Sequence, residues 1–207
     1  MQTLDETLKI SASRHTHLCP RQVLGIRIGV AGASALGLDV PRKDQRLLVI
    51  IETDGCFADG IESSAGSTVG HRTLRIEDFG KIAASFVDVE TEQAFRITPQ
   101  PDARQRAFDF ARDEPRHYFA QLVAYQSMPA EELLTIQEVR LVIPVQQLVS
   151  RPGIRALCEQ CGEEIINERE VVFNGNVLCR ACSGAGYYSP CHVIHPINYL
   201  LRNELVK

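Results

Sequence analysis

Hydrophobic and polar positions divide the chain into alternating helix-like and strand-like stretches. Leu4, Leu8 and Ile10 mark one face of a short helix over Leu4 to Ser13, which the segment His15 to Pro20 interrupts. Pro20 suits the first turn of a second helix, with Cys19 near its N-cap, running to about Leu36. Gly25, Gly29 and Gly32 lie along one side of that helix, a spacing that predicts close backbone packing against another element. They do not make a phosphate loop, because no strand precedes them and no Gly-Lys-Ser/Thr follows. Arg46 to Thr53 (RLLVIIET) is a continuous apolar run that reads as a buried strand. A short helix over Ala58 to Ala65 and a weak strand at Leu74 to Ile76 follow. Lys81 to Thr98 reads as a hairpin with its polar turn at Glu90 to Gln93. Pro101 to about Met128 is helical in two pieces broken near Pro115. Leu134 to Ile143 returns to strand, and Pro144 to Gly153 reads as a linker.

Helices and mostly antiparallel strands in blocks, with no repeating βαβ unit, predict an α+β fold. The expected layout is a mixed or antiparallel sheet with packed helices over residues 1–150, and a small treble-clef-like zinc finger over 151–207. The composition, 44% hydrophobic and 23% charged in 207 residues, is that of an ordinary globular chain. From Arg151 onward six Lys/Arg balance six Glu with no Asp, and the whole chain carries −4. Such a finger is a poor match for a phosphate backbone, so nucleic acid is not an expected partner. Val23 to Leu38 is interrupted by Arg27 and too short to span a bilayer, and Met1 to Lys9 lacks a signal-peptide pattern. A cytoplasmic protein without membrane association is expected. Seven cysteines cannot all pair, and in a reducing compartment clustered cysteines more often bind metal.

Cys158-Glu-Gln-Cys161, seventeen residues beginning with Gly162 and then Cys179-Arg-Ala-Cys182 fit the spacing of a four-thiolate zinc site. Gly162 supplies the permissive backbone that such a knuckle needs. Asn174-Gly175, flanked by apolar residues, signals a hairpin between the two cysteine pairs. Two disulfides or four free thiols is the weaker alternative. Four protein ligands fill the tetrahedron, so the site is structural. Cys191, His192 and His195 form a looser cluster, better read as surface or finger packing than as ligands.

A second constellation lies upstream. His17-Leu18-Cys19 puts two good ligands on one side of an extended segment, with Cys19 at a helix N-terminus that favours thiolate. Cys56 lies just past the buried strand. His17, Cys19 and Cys56 as metal ligands would leave a fourth position for water or substrate, as in catalytic zinc sites. His15 is a candidate fourth ligand or proton carrier, and Asp54 and Asp59 are candidates for orienting ligands or acting as bases. His15 and Asp54 are therefore the candidate catalytic residues. On spacing alone, a His-x-Cys beside a proline is more often incidental.

At these residues the chain resembles the FmdE family, which takes its name from formylmethanofuran dehydrogenase. His15-Thr16-His17-Leu18-Cys19-Pro20 is similar to that family's His-Gly-His-x-Cys-Pro-Gly opening. Glu52-Thr53-Asp54-Gly55-Cys56 with Asp59 resembles its Glu-Thr-Asp-Ala-Cys-x-x-Asp segment. Gly66-Ser67-Thr68-Val69-Gly70 with Leu74, and Asp78-Phe79-Gly80-Lys81 with the following hairpin, resemble its next two blocks. The resemblance runs over about residues 12 to 98. It implies an α+β core with a metal site at His17, Cys19 and Cys56. It also implies an auxiliary C-terminal zinc finger, and an association with molybdenum or tungsten enzymes of one-carbon metabolism. Two zinc ions per chain follow, one in the core and one in the finger. Thr16 and Arg21 stand where the family has glycines, which could narrow the pocket, and Ser67 stands where a cysteine is usual.

The reading carried forward is an accessory or small-ligand-binding protein. Its expected partners are a second copy of the chain in a homodimer, a redox enzyme on which the finger docks, and a small-molecule ligand. A metal-dependent enzyme using the open site is one alternative. A regulator that binds RNA polymerase is another, because the finger also resembles those of DksA/TraR-type factors. No nucleophile triad, dinucleotide fingerprint or Walker motif supports another enzyme class.

Overall fold

Local sequence sets each element in a computed structural model, which describes residues 2–13, 17–149, 153–189 and 191. The chain divides into two compact units, 1–149 and 150–207. Helix α1 (Leu4–Ala12) starts at a capping box. The Glu6 amide donates to Thr3 Oγ1 at 3.2 Å, and the Thr3 amide to Glu6 Oε2 at 2.9 Å. Its buried face is Thr7, Leu8 and Ser11, whereas Ile10 points to solvent, because a six-residue step from Leu4 is not a helical repeat.

Helix α2 (Pro20–Ala35) crosses α3 (Cys56–Ala65) with the two backbones in contact. A Cβ on Gly25 would stand 2.4 Å from the Phe57 carbonyl oxygen, and one on Gly60 2.3 Å from the Gln22 carbonyl oxygen. A Cβ on Gly32 would stand 2.1 Å from the Phe86 ring of the sheet. The glycine stripe is therefore a packing surface, as its spacing implies.

Five strands form one sheet: β1 (Leu47–Ile51), β2 (Leu74–Ile76), β3 (Ala84–Asp88), β4 (Ala94–Pro99) and β5 (Leu134–Glu138), in the order β2-β1-β3-β4-β5. β2 runs parallel to β1, and the remaining pairs are antiparallel. Val49, Phe86 and Ile97 join the main core with α2 and α3. Leu48, Val87 and Ala94 belong to a second apolar cluster. Strand β1 thus feeds two clusters, which is why it is apolar throughout instead of alternating. At the hairpin end, Asp88 is 2% exposed and accepts from Arg46 Nε at 3.1 Å and Nη2 at 2.8 Å. The guanidinium, with help from the Glu90 amide, holds this carboxyl at about 2, well below the ordinary carboxylate value.

Helices α4 (Ala103–Phe110) and α5 (His117–Ser127) flank the break at Pro115, and α6 (Ala130–Leu133) leads into β5. Arg27 of α2 donates to the Tyr125 and Met128 carbonyl oxygens at 2.8 and 2.7 Å, satisfying the C-terminal end of α5. Two boundaries differ from the sequence expectation. β5 stops at Glu138 instead of Ile143, because its partner β4 begins at Ala94, whose carbonyl takes the Val139 amide at 3.0 Å. The first half of the expected linker is core: α7 (Val145–Leu148) seats Val145 in the second apolar cluster, and Arg75 donates to the Leu148 carbonyl.

The second unit holds two hairpins, β6 (Arg155–Leu157) with β7 (Glu164–Ile166) and β8 (Val171–Phe173) with β9 (Asn176–Leu178). Asn174 and Gly175 turn the latter with φ of +51° and +84°, the conformation these two residues favour. Among the described residues no helix is long and apolar enough to cross a membrane.

Candidate functional site

The crossing of α2 on α3 brings the first residues of both helices together. Cys19 is the N-cap of α2, and its amide donates to Gln22 Oε1 at 2.9 Å. Gln22 Nε2 donates in turn to the Ser11 carbonyl and hydroxyl oxygens at 3.0 and 3.1 Å, so this fully buried amide locks the start of α2 onto α1. Cys56 opens α3. Gly55 before it has φ +69° and ψ −148°, a backbone conformation open essentially only to glycine. The turn that presents Cys56 is anchored on the sheet by Glu52. Its buried carboxylate accepts from Arg96 Nε at 2.5 Å and Nη2 at 2.7 Å. Its carbonyl oxygen takes the Phe79 and Lys81 amides at 3.0 and 3.1 Å.

Cys19 and Cys56 share the wall of a cavity of about 680 Å³. Burial pushes the Cys56 thiol up, and its hydrogen bond with the Cys19 thiol pushes it further, with Asp59 acting in the same direction. A cation between the sulfurs would reverse that pressure, so the pair suits a soft metal. His17 lines the same cavity from an exposed bend. Its ring and the two sulfurs are not, however, all within 4.8 Å of one another. The fold therefore brings the two thiols to one cavity, which the imidazole also lines.

The remaining sequence candidates fall out differently. Asp54 is exposed on the turn before α3 and does not line the cavity. Ser67, 2% exposed beyond the end of α3, does not line it either, so its hydroxyl is not placed to meet a ligand there. Arg21, one residue into α2, does line it, as its replacement of a small residue suggested. His15, His192 and His195 lie outside the described residues, and Cys191 is exposed.

Sequence reasoning missed the opposite wall, which α4 and α5 supply. Arg104, His117, Tyr118 and Tyr125 all line the cavity. The Tyr118 hydroxyl donates to the Leu18 carbonyl oxygen at 3.3 Å. Burial, and then the nearby Cys19 and Cys56 sulfurs, push its phenol up. Burial likewise raises Tyr125, against a pull downward from Arg104. The His117 ring rests edge-on against Phe108, with centroids 4.4 Å apart. The break at Pro115 was the one signal available, since it starts α5 at these residues.

In the second unit the sulfurs of Cys158, Cys161, Cys179 and Cys182 all lie within 4.8 Å of one another, with Cys161 and Cys179 at 4.0 Å. A tetrahedral thiolate site with bonds of about 2.3 Å has sulfur–sulfur edges of about 3.8 Å. The cluster thus fits a single ion, with no position left over. Gly162, at φ +75°, turns the first knuckle, and the Cys179 amide donates to Cys158 Sγ at 3.3 Å. Backbone amides of Cys161 and Cys179 hold the Cys158 thiol down at about 6, while Cys179 and burial push Cys182 up to about 12. Four thiolates so close can ionise together only around a cation.

Comparison with known proteins agrees with this geometry. The family model described as FmdE, molybdenum formylmethanofuran dehydrogenase operon, matches residues 14–135. A protein of Archaeoglobus fulgidus described as a probable S-adenosyl-L-methionine-binding protein is 26% identical over 194 residues. That match covers 84% of this chain and 51% of the relative, so the chain spans about half the relative's length. The crystal structure of a tungsten formylmethanofuran dehydrogenase FmdE-like protein from Syntrophus aciditrophicus superposes with a TM-score of 0.58 at 19% identity. It covers 91% of this chain and 96% of that one, a likeness of fold. The family match spans more than half of the chain and includes both cysteines of the cavity, so the chain belongs to the FmdE family.

Proposed function

We propose that this FmdE-family chain is a zinc-binding accessory protein whose core cavity takes a small-molecule ligand. The observation that carries this reading is the meeting of the Cys19 and Cys56 thiols, from two helix starts, on the wall of one cavity. In this reading the two sulfurs hold a zinc ion, with His17, from an exposed bend lining the same cavity, as third ligand. When bound, that ion would supply Lewis acidity at an open position. The chain's own residues orient and enclose the ligand, with the Tyr118 hydroxyl oxygen beside the thiols as a hydrogen-bond acceptor. Binding is favoured over catalysis because the candidate base Asp54 stands outside the cavity lining.

The setting we propose is a cytoplasmic homodimer serving a molybdenum- or tungsten-dependent formylmethanofuran dehydrogenase-type enzyme of one-carbon metabolism. Family membership and the fold shared with the Syntrophus aciditrophicus protein support it. The ligand named for the Archaeoglobus fulgidus relative carries a carboxylate as well as a sulfonium cation, so Arg21 and Arg104 in the lining do not decide against it. The finger's second ion is structural in this reading. Cobalt(II) substitution tests the core site. Its thiolate charge-transfer absorption is expected to shift on adding a small thiol or azide and to fall in Cys56→Ser. A spectrum unmoved by added ligands would rule out an open position.

A further inference from the structure

We infer that the core cavity binds a small organic anion, held by Arg21 and Arg104. This rests on the ligand-binding reading above and adds the charge of what binds. Twelve of the described residues line the cavity and none of these is acidic, in a chain with 26 Asp and Glu against 22 Lys and Arg. Two arginines and the two histidines His17 and His117 face it instead. Asp59, which acts on the Cys56 thiol, is not among the lining.

Three other arginines of this unit are paired, Arg46 with Asp88, Arg96 with Glu52 and Arg106 with Glu132, whereas the exposed Arg72, Arg112 and Arg140 make no ion pair among the described residues and do not line the cavity. Among the described residues neither Arg21 nor Arg104 makes an ion pair. Two cations without counter-ions lining one concave cavity focus a positive potential, in a protein whose net charge is −4. First-turn residues of four helices line the cavity. Arg21 is the second residue of α2, Cys56 the first of α3, Arg104 the second of α4 and His117 the first of α5. The first turn of a helix carries partial positive charge, although α5 lines the cavity along its length, from His117 to Tyr125. Arg104 bears on Tyr125, whereas Tyr118 lies near the thiols. A ligand can therefore offer its charge to one part of the wall and a donor atom to another.

Mercaptopropionate, mercaptopropanol and cysteamine test this on the full-length zinc-loaded protein, since they share a thiol and differ in charge. Calorimetric titration is expected to give the anion about tenfold tighter binding than the neutral thiol, with the cation weakest. The preference should shrink with added salt. It should vanish in Arg21→Gln/Arg104→Gln, whose thermal unfolding should match the parent because both side chains are exposed. Equal affinity for the three thiols, or a preference that survives the double substitution, would overturn the inference and leave a ligand site standing. Failure of all three to bind would contradict the ligand-site reading and this inference with it.

Discussion

A methyl group on Gly60 would stand 2.3 Å from the Gln22 carbonyl oxygen and 2.9 Å from the Gly25 Cα, so neither neighbour can yield by turning a side chain. Gly60→Ala is expected to destabilise the core by about 2 kcal/mol in urea unfolding, and a change within error would contradict the close crossing. Asp88 supplies a second residue-scale prediction. Its carboxyl is lowered to about 2 by Arg46, so its contribution is complete above the unfolded value and is lost as pH falls through the range from about 4 to 2. Because Arg46 is 34% exposed, the effect is on the order of 1 kcal/mol. Asp88→Asn should remove that part of the acid-limb slope in melting experiments, whereas an unchanged slope would deny the pair its role. Much at this scale was legible: the glycine stripe, the two cysteines and the intruding Arg21. Gln22, Glu52 and Tyr118 were not, because a buried polar side chain carries no sequence pattern until its partners are known.

The elements themselves were legible wherever one apolar face dictated them. β1 and the β3–β4 hairpin follow the hydrophobic pattern, and α4 and α5 break where Pro115 demands it. The errors came where pairing or burial was decided by a distant partner. Residues 139–143 have strand character but outrun β4, and Val145 looked like linker until the second apolar cluster claimed it. The second unit is the element whose stability would depend most on a bound ion, since its described buried cluster is only Cys158, Ile165 and Leu178. Cys158→Ser, or a strong chelator, is expected to unfold this unit while the melting transition of residues 1–149 stays in place. A simultaneous loss of both transitions would show that the core depends on the finger.

At the scale of the whole molecule, each unit offers sulfur to a metal in a different way. The finger closes four thiols on one another, whereas the core brings two thiols to a cavity with arginines and tyrosines around it. In the proposed function that difference would separate a structural ion from one with a place for a ligand. The most direct measurement is zinc per chain, by mass spectrometry of the purified full-length protein and two variants. The account predicts two ions in the parent, one in Cys19→Ser/Cys56→Ser and one in Cys158→Ser/Cys179→Ser. A parent with a single ion that survives the first pair of substitutions and disappears with the second would contradict the core site.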